Sequence, residues 1–439
     1  FRYTMPCEIV SPWIKEMDDR PIGEPLATEE RTDIVIIGGG IAGTSTAYYL
    51  LQESDLHVTL VERTKVGYGA SGRNGGQGIA SVERSFKDLL GSLPGAEIAS
   101  MLNEISSGHQ RVDEICNSIG YHDGLFKTTI WTGLSSVTEV QKQLEEMKLR
   151  LLYGAPVHPL ILDEDLVPKV EIDPVLAEMV STATPSRLKE VLCTREKYIA
   201  AYSAPASLAN SGRLSRAIAR HLLDRYPGRF VLHEESPVSS ISFGEEVKVR
   251  SNGTAVSADA AVLCTNGYPL PELESSTVPK ISDSLRRYVA SMVAHTSEDR
   301  TAPGAFTYFH EEGDPEEEPY FYLTRRPFLL NGNDLVTVGG PQQTISEELD
   351  HGAEYPPGVY ARIDGFLARS YTCALREEDM MCWNGPMGYT KDGIRLVGKD
   401  PQVPGLWYNT ACNGIGFLPS IVGGWRVAAE IAGARSRKP

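Results

Sequence analysis

The spacing of apolar residues divides the chain into stretches with different element preferences. Residues 1–31 keep no sustained period and are interrupted by Pro6, Pro12, Pro21 and Pro25, so an irregular arm is expected. The next stretch, TDIVIIGGGIAGTSTAYYLLQESDLHVTLVER, passes from a short apolar run through glycines into a helical pattern and out into a second apolar run. It predicts strand, tight turn, helix and strand, a βαβ unit. From about 82 to 200 the pattern is mainly helical. In EIASMLNEISSGHQRVDEICNSIG, residues Ile98, Met101, Leu102, Ile105, Val112, Ile115 and Ile119 keep helical spacing, and Gly120 marks a stop. In TEVQKQLEEMKLRLL, residues Val140, Leu144, Met147 and Leu151 form one face.

A further helix is expected at 205–224, followed by strands in RFVLHEES and DAAVLCTNGY. Between 281 and 383, SLRRYVASMVAH, YFYLTRR and DLVTVGG read as strands, and the acidic tract EEGDPEEEP at 311–319 as a solvated loop. The closing stretch GLWYNTACNGIGFLPSIVGGWRVAAEIAG reads strand, turn, helix. Nucleotide-binding-like pieces therefore occur at the start, middle and end. That favours two interleaved domains over two in series.

Charge and composition narrow the function classes. With 439 residues the chain can bury a large core. Its net charge of −16 argues against a nucleic-acid surface, which needs clustered Lys and Arg. No run approaches the roughly 18 apolar residues of a membrane span. The seven cysteines include no Cys-x-x-Cys pair, which suits a reducing compartment, so a cytoplasmic location is expected. The nine histidines show no ligand spacing, and no metal is expected. Position 1 is Phe, so a segment is expected to precede it.

Candidate chemistry begins at Gly38-Gly39-Gly40-Ile41-Ala42-Gly43, a G-x-G-x-x-G between strand and helix. Gly38 permits the turn, Gly40 lets the backbone approach a pyrophosphate, and Gly43 lets helix and strand pack closely. The helix N-terminus then presents free N–H groups to phosphate charge. Glu62 ends the second strand and can accept bonds from ribose hydroxyls, with Arg63 beside it. Strand, glycines, helix, strand and acid in register point to dinucleotide binding.

A few residues further on lies GYGASGRNGGQG, residues 67–78, a backbone bare enough to pass close to a flat ring and a pyrophosphate. Here the chain resembles the FAD-dependent glycine/D-amino-acid oxidase superfamily, and the loop resembles that of its γ-glutamylputrescine oxidase-like members. The resemblance implies FAD as cofactor. It places Ala70, Ser71 and Arg73 at the diphosphate and Asn74, Gly75, Gly76 and Gln77 near the reactive edge of the flavin. It also implies that WNGPMGYTKDGIRLVGKDPQVPGLWYNTACNGIGFLPSIVGGW is the closing FAD segment. There Asn413, Gly414, Ile415, Gly416 and Phe417 would lead into a helix aimed at the flavin pyrimidine, with Pro419 at a first helical position. By the same resemblance Val238 touches the adenine, and Thr265, Asn266 and Gly267 end a strand that returns to the cofactor.

The expected fold class is mixed α/β: a Rossmann-like FAD-binding domain interleaved with a substrate domain built on a large, mainly antiparallel sheet with helices. The FAD-binding domain would comprise 32–81, 205–275 and 385–437, and the substrate-binding domain 82–204 and 276–384. The implied activity is oxidation of a C–N bond in an amine or amino acid, the imine then hydrolysing. Electrons would pass to oxygen in an oxidase, or to a quinone or partner protein in a dehydrogenase. A flavin-bearing subunit without turnover is a third reading.

Three departures bear on these expectations. Some relatives attach FAD covalently, but this chain has no histidine in SGRNGGQ. It has Gly385 where sarcosine oxidases carry the attaching cysteine, so FAD is expected to be non-covalent. Thr337 stands where those enzymes place an oxygen-activating lysine. On the substrate side, Arg325 and Arg326 are candidates to clamp a carboxylate. Gln77 and Cys412 are further substrate-side candidates, and Cys412 replaces a second arginine of glycine oxidases.

Overall fold

The computed structural model describes residues 7–309, 320–346 and 348–436. Its organising element is a six-stranded sheet in the order Phe230–His233, Val58–Val61, Ile34–Ile37, Ala260–Leu263, Leu406–Thr410 and Leu396–Lys399. The first five strands are parallel and the last is antiparallel. Strand Ile34–Ile37 is buried on both faces, which explains its unbroken apolar run. Ile34 and Ile36 pack with the helices Ile41–Glu53, Ser211–Arg225 and Phe417–Ser436. Val35 and Ile37 pack instead against a five-stranded sheet whose core includes Ile241, Val249 and Val256. The expected βαβ unit is present, with helix Ile41–Glu53 as its crossover.

A second, eleven-stranded sheet is mainly antiparallel. Its long central strands are Leu285–Ser297, Asp334–Thr344 and Arg376–Thr390. The boundaries expected at 204/205 and 384/385 fall inside two of its strands, Ala200–Ala209 and Arg376–Thr390. The helix expected at 205–224 is Ser211–Arg225, because residues up to Ala209 extend the strand. Asn210 caps the helix by accepting from Arg213 N at 3.0 Å.

The stretch 82–200 is less helical than its pattern predicts. Helices Gly95–Ser106, Gly108–Ile119 and Val137–Tyr153 are present, and Gly120 closes the second with φ 68°. Strand Leu125–Leu134 interrupts them, pairing with both Ala200–Ala209 and Gly304–Phe309. Of the four residues expected on one face of Val137–Tyr153, Val140, Leu144 and Met147 are buried while Leu151 is 40% exposed. The helix ends at Gly154, so its last turn outruns the core. Helix Val359–Ser370, unforeseen in a strand-rich region, covers the outer face of the large sheet with Ile363, Phe366 and Leu367. The acidic tract at 311–319 lies outside the described residues.

Most of the described part of the N-terminal arm is irregular as expected, but short elements within it depart from that expectation. Pro12 occupies the first turn of the short helix Pro12–Lys15, where its missing N–H costs nothing, and the Ser11 side chain caps it. Trp13 is fully buried, and Glu8–Ile9 adds a parallel strand to Arg376–Thr390. The arm is thus built into the sheet next to the Gly-rich loop.

Candidate active site

One cavity of about 1130 Å³ runs along the carboxyl ends of the parallel strands and on beneath the large sheet. Gly38, Gly40, Ile41, Ala42, Glu62 and Arg63 line its first part. Gly43 does not reach it. Instead Gly43 lies against Gly38, whose carbonyl oxygen would be 1.9 Å from any Cβ at position 43. Close helix–strand packing therefore needs glycine there. The Glu62 carboxylate accepts from Gly39 N at 2.7 Å and Thr64 N at 2.9 Å, fixing it at the end of its strand.

The loop at 67–78 forms the middle of the wall through Ala70, Ser71, Arg73, Asn74, Gly75, Gly76 and Gln77. Neighbours from four directions hold it. Ser71 Oγ accepts from Ile41 N at 2.9 Å, joining the loop to the helix start. Asn74 folds the loop on itself: its side chain accepts from Gly76 N at 2.7 Å and donates to Ser211 Oγ at 2.7 Å. Thr324 Oγ1 donates to the Gly75 carbonyl at 2.6 Å and Trp383 Nε1 to that of Arg73 at 3.0 Å. Gln77 Nε2 donates to the Leu323 carbonyl at 2.9 Å. From the N-terminal arm, Ser11 Oγ donates to Gly72 O at 2.6 Å, and the Trp13 ring leaves no room for a side chain on Gly76, whose φ is +71°.

Val238, Thr265 and Asn266 also line the cavity, as do Cys412, Gly414, Ile415, Gly416 and Phe417 opposite. Gly267 and Asn413 stand behind the lining. Gly267 lies against the Met387 backbone, and Asn413 Oδ1 accepts from Thr390 N at 2.7 Å. Pro419 sits in the first turn of Phe417–Ser436, two residues past its start. Gly385 lines the cavity, and a side chain there would collide with the Arg73 carbonyl. Cys382 points the other way, fully buried among the residues under the Val359–Ser370 helix.

The placement of both candidate substrate arginines is a correction. Along strand Tyr320–Pro327 side chains alternate between the faces of the sheet. Tyr320 and Tyr322 line the cavity. Arg325 faces the opposite layer, where Nη1 donates to Tyr371 Oη at 2.8 Å and Nη2 to Ala302 O at 3.0 Å. Arg326 has its guanidinium sealed by Trp13, 4.5 Å from the ring centroid, and paired to buried Glu16 at 2.9 and 2.5 Å. Neither lines the cavity. Thr337 is also off the lining, buried with its hydroxyl unpartnered among the described residues.

The inner part of the cavity holds residues the sequence did not single out. Tyr202, Tyr320, Tyr322 and Tyr389 give it aromatic walls, with Glu83 and Gln342 among them. Tyr320 Oη donates to Glu83 Oε1 at 2.9 Å, and Tyr389 Oη donates to Gln342 Oε1 at 2.8 Å. Burial pushes the Glu83 carboxyl above its usual range, although hydrogen bonds from Tyr389 and Tyr320 and the charge of Arg84 oppose this. The same low-polarity surroundings raise the Tyr389 hydroxyl far above its ordinary value. The alternation in YFYLTRR was the available signal for Tyr320 and Tyr322. Glu83 follows the Gly-rich loop without a motif of its own.

The lining suits a bulky dinucleotide with a negatively charged centre. Arg73 and Arg395 both line the cavity, and among the described residues Nε of Arg73 and Nε and Nη1 of Arg395 are buried without partners. Thr265 Oγ1 is likewise unpartnered. Burial lowers the guanidinium of each arginine below its ordinary value, a cost that a bound anion would relieve.

Fold and lining together define a dinucleotide-binding oxidoreductase of the flavin class. Residues 33–430 match the family described as FAD dependent oxidoreductase, and the chain belongs to this DAO family, whose cofactor is FAD. It is 23% identical over 378 residues to the probable oxidoreductase OrdL of Rhizobium meliloti, covering 85% of this chain and 77% of that one. A 73-residue segment, 17% of each chain, is 38% identical to the gamma-glutamylputrescine oxidoreductase of Escherichia coli. The fold is similar to the L-proline dehydrogenase of P. horikoshii, with TM-score 0.66, 18% identity and coverage of 94% and 96% of the two chains. It is also similar to the glycine oxidase of Bacillus cereus, with TM-score 0.64, 17% identity and coverage of 92% and 95%. Among the described residues no helix is long and apolar enough to cross a membrane.

Proposed function

We propose that this protein oxidises a C–N bond of a small amine. The observation that carries this reading is the continuity of one cavity from the dinucleotide turn at Gly38–Ile41 to an aromatic chamber containing Glu83, with Arg325 on the opposite layer and Arg326 sealed by Trp13 and Glu16. A plain amino acid would want a carboxylate clamp there. An amine wants aromatic walls and an acceptor. The name of one relative, the gamma-glutamylputrescine oxidoreductase of Escherichia coli, supports the amine class.

Bound FAD would supply a two-electron acceptor for oxidation of the C–N bond to an imine, and water would hydrolyse the imine to a carbonyl compound and a free amine or ammonia. The chain's own residues bind and orient. The Ile41–Glu53 helix start, Ser71 and Arg73 would hold the diphosphate, and Glu62 the ribose hydroxyls. The start of Phe417–Ser436 would face the pyrimidine, where a helix N-terminus favours negative charge. The tyrosines would exclude water from the reacting carbon and hold the substrate close to one orientation. No strong general base is needed beyond loss of the amine proton.

Two further assignments belong to this reading. The FAD-binding part is assigned to 32–81, 205–275 and 385–437 and the substrate part to 82–204 and 276–384, with 1–31 as a separate arm. Oxygen is the electron acceptor, giving hydrogen peroxide. Thr337, where sarcosine oxidases carry lysine, favours a second reading in which a quinone or partner protein takes the electrons. The test incubates holoprotein with amines and amino acids in air, traps carbonyl product with a hydrazine and assays peroxide. Carbonyl from amines supports the proposal; carbonyl only from amino acids overturns it. Peroxide in step with carbonyl marks an oxidase. Carbonyl formed only when an artificial acceptor is added marks a dehydrogenase.

A further inference from the structure

Glu83 lines the cavity with its side chain exposed to it. Its Oε1 accepts the Tyr320 hydroxyl at 2.9 Å. Its Oε2 lies beside the Gly414 turn and the Tyr389 hydroxyl, whose single proton is shared with Gln342, 2.8 Å away, so the two tyrosines offer Glu83 hydrogen bonds but no positive charge. Among the described residues no cation pairs with Glu83. The neighbouring Arg84 turns aside to donate to the Lys391 carbonyl at 3.0 Å. Two other carboxylates of the lining are committed elsewhere. Glu139 caps its helix at Ser136, and Glu146 accepts from Arg150 Nε and Phe86 N.

A carboxylate open to an aromatic chamber is the arrangement that favours a cation. Tyr320, Tyr322 and Tyr389 line the same cavity as Glu83, and the hydroxyls of Tyr320 and Tyr389 lie beside its carboxylate. Tyr320 and Tyr322 stand 6.4 Å apart and tilted on the wall that also carries Glu83. The protein's net charge of −16 draws cations toward it.

We propose that Glu83, framed by Tyr320, Tyr322 and Tyr389, anchors a positively charged nitrogen of the substrate, taking the recognition role that a carboxylate-binding arginine would otherwise fill. The inference rests on the amine reading above and adds the group that selects for charge. The nitrogen held at Glu83 is one that stays protonated. The carbon to be oxidised lies next to another nitrogen, which is neutral when it reacts. The substrate class is therefore an amine with a second cationic group.

The test separates binding from turnover. Butyltrimethylammonium keeps its charge and has no N–H, and pentanoate is an anion of similar length. Each is titrated into holoprotein while the flavin visible spectrum is followed. Wild type should bind the cation and not pentanoate. Glu83→Gln should weaken cation binding by about 10- to 100-fold, with FAD content and melting temperature unchanged. Glu83→Asp should retain part of the affinity. Pentanoate binding tighter than the cation in wild type, or an unchanged cation affinity in Glu83→Gln, overturns the inference. Should Glu83→Gln lose FAD, the wild-type preference between the two probes decides. Cation binding at Glu83 without reduction by any amine would sink the amine-oxidation reading but leave the cation site standing.

Discussion

Replacing Glu16 with Leu strands the Arg326 guanidinium in a place where water cannot reach it. The two side chains are 0% and 1% exposed, and the carboxylate takes two bonds from Arg326, one from Leu329 N at 3.0 Å and one from Asn210 Nδ2 at 3.1 Å. Removing one partner of such a pair costs about 3–5 kcal/mol, because the other is left buried and charged. An unfolding entropy of about 2.1 cal/mol/K per residue gives this chain about 0.9 kcal/mol/K, so the melting temperature should fall by roughly 3–5 °C. Replacing both, as Glu16→Leu with Arg326→Met, removes the stranded charge and should recover most of the loss. The pair also braces Trp13 under the 67–78 loop, so Glu16→Leu alone should release FAD more readily. The assay is a double-mutant cycle by thermal melting, with flavin fluorescence reporting release and substrate KM measured for each variant. An unchanged melting temperature in Glu16→Leu refutes the reasoning. So does a double variant that melts normally, keeps its FAD and loses substrate affinity, since that would return Arg326 to the substrate site.

Three other outcomes are expected. Gly40→Val should abolish FAD retention, because even its Cβ would sit 2.9 Å from Ser71 Oγ and its methyls would fill the pyrophosphate space; stoichiometric FAD in the purified variant would mean the cofactor lies elsewhere. Asp400→Asn should cost about 2–3 kcal/mol at pH 7 by urea unfolding. Burial opposes ionisation of Asp400, but bonds from Tyr408 Oη, Lys280 N, Gln402 N and Val403 N outweigh it and lower the carboxyl below its usual range. That stabilisation is complete above the unfolded value near 4 and is lost as pH falls through the lower native value. The gap between Asp400→Asn and wild type should therefore narrow below about pH 4; a gap that is constant with pH would count against the role. Acid precipitation should release all the yellow colour into the supernatant, as non-covalent FAD requires, and colour held in the pellet would contradict it.

The parts of the molecule legible in the sequence are those whose structure is set locally. The Ile34–Ile37 strand, the glycine turn and Val58–Val61 lie within about thirty residues, and each residue's demand is visible in its type. The Gly-rich loop was legible for the same reason, since a bare backbone announces close approach. Arg325 and Arg326 were not legible, because the register of the strand and a partner 310 positions away decide where they point. The order of the N-terminal arm was hidden likewise. Its prolines read as breaks, whereas Pro12 starts a helix that only Arg326 and the loop make worthwhile. Helix Val359–Ser370 was missed although Val359, Tyr360, Ile363, Phe366 and Leu367 carry helical spacing; its strand-rich surroundings outweighed that period.

The most direct test of the central claim is the visible spectrum of the purified holoprotein, recorded before and after amines are added without air. The account predicts two flavin bands that bleach with an amine and return on admitting oxygen or an artificial electron acceptor. A protein that holds no flavin even after FAD is supplied, or a bound flavin that no amine reduces, would contradict it.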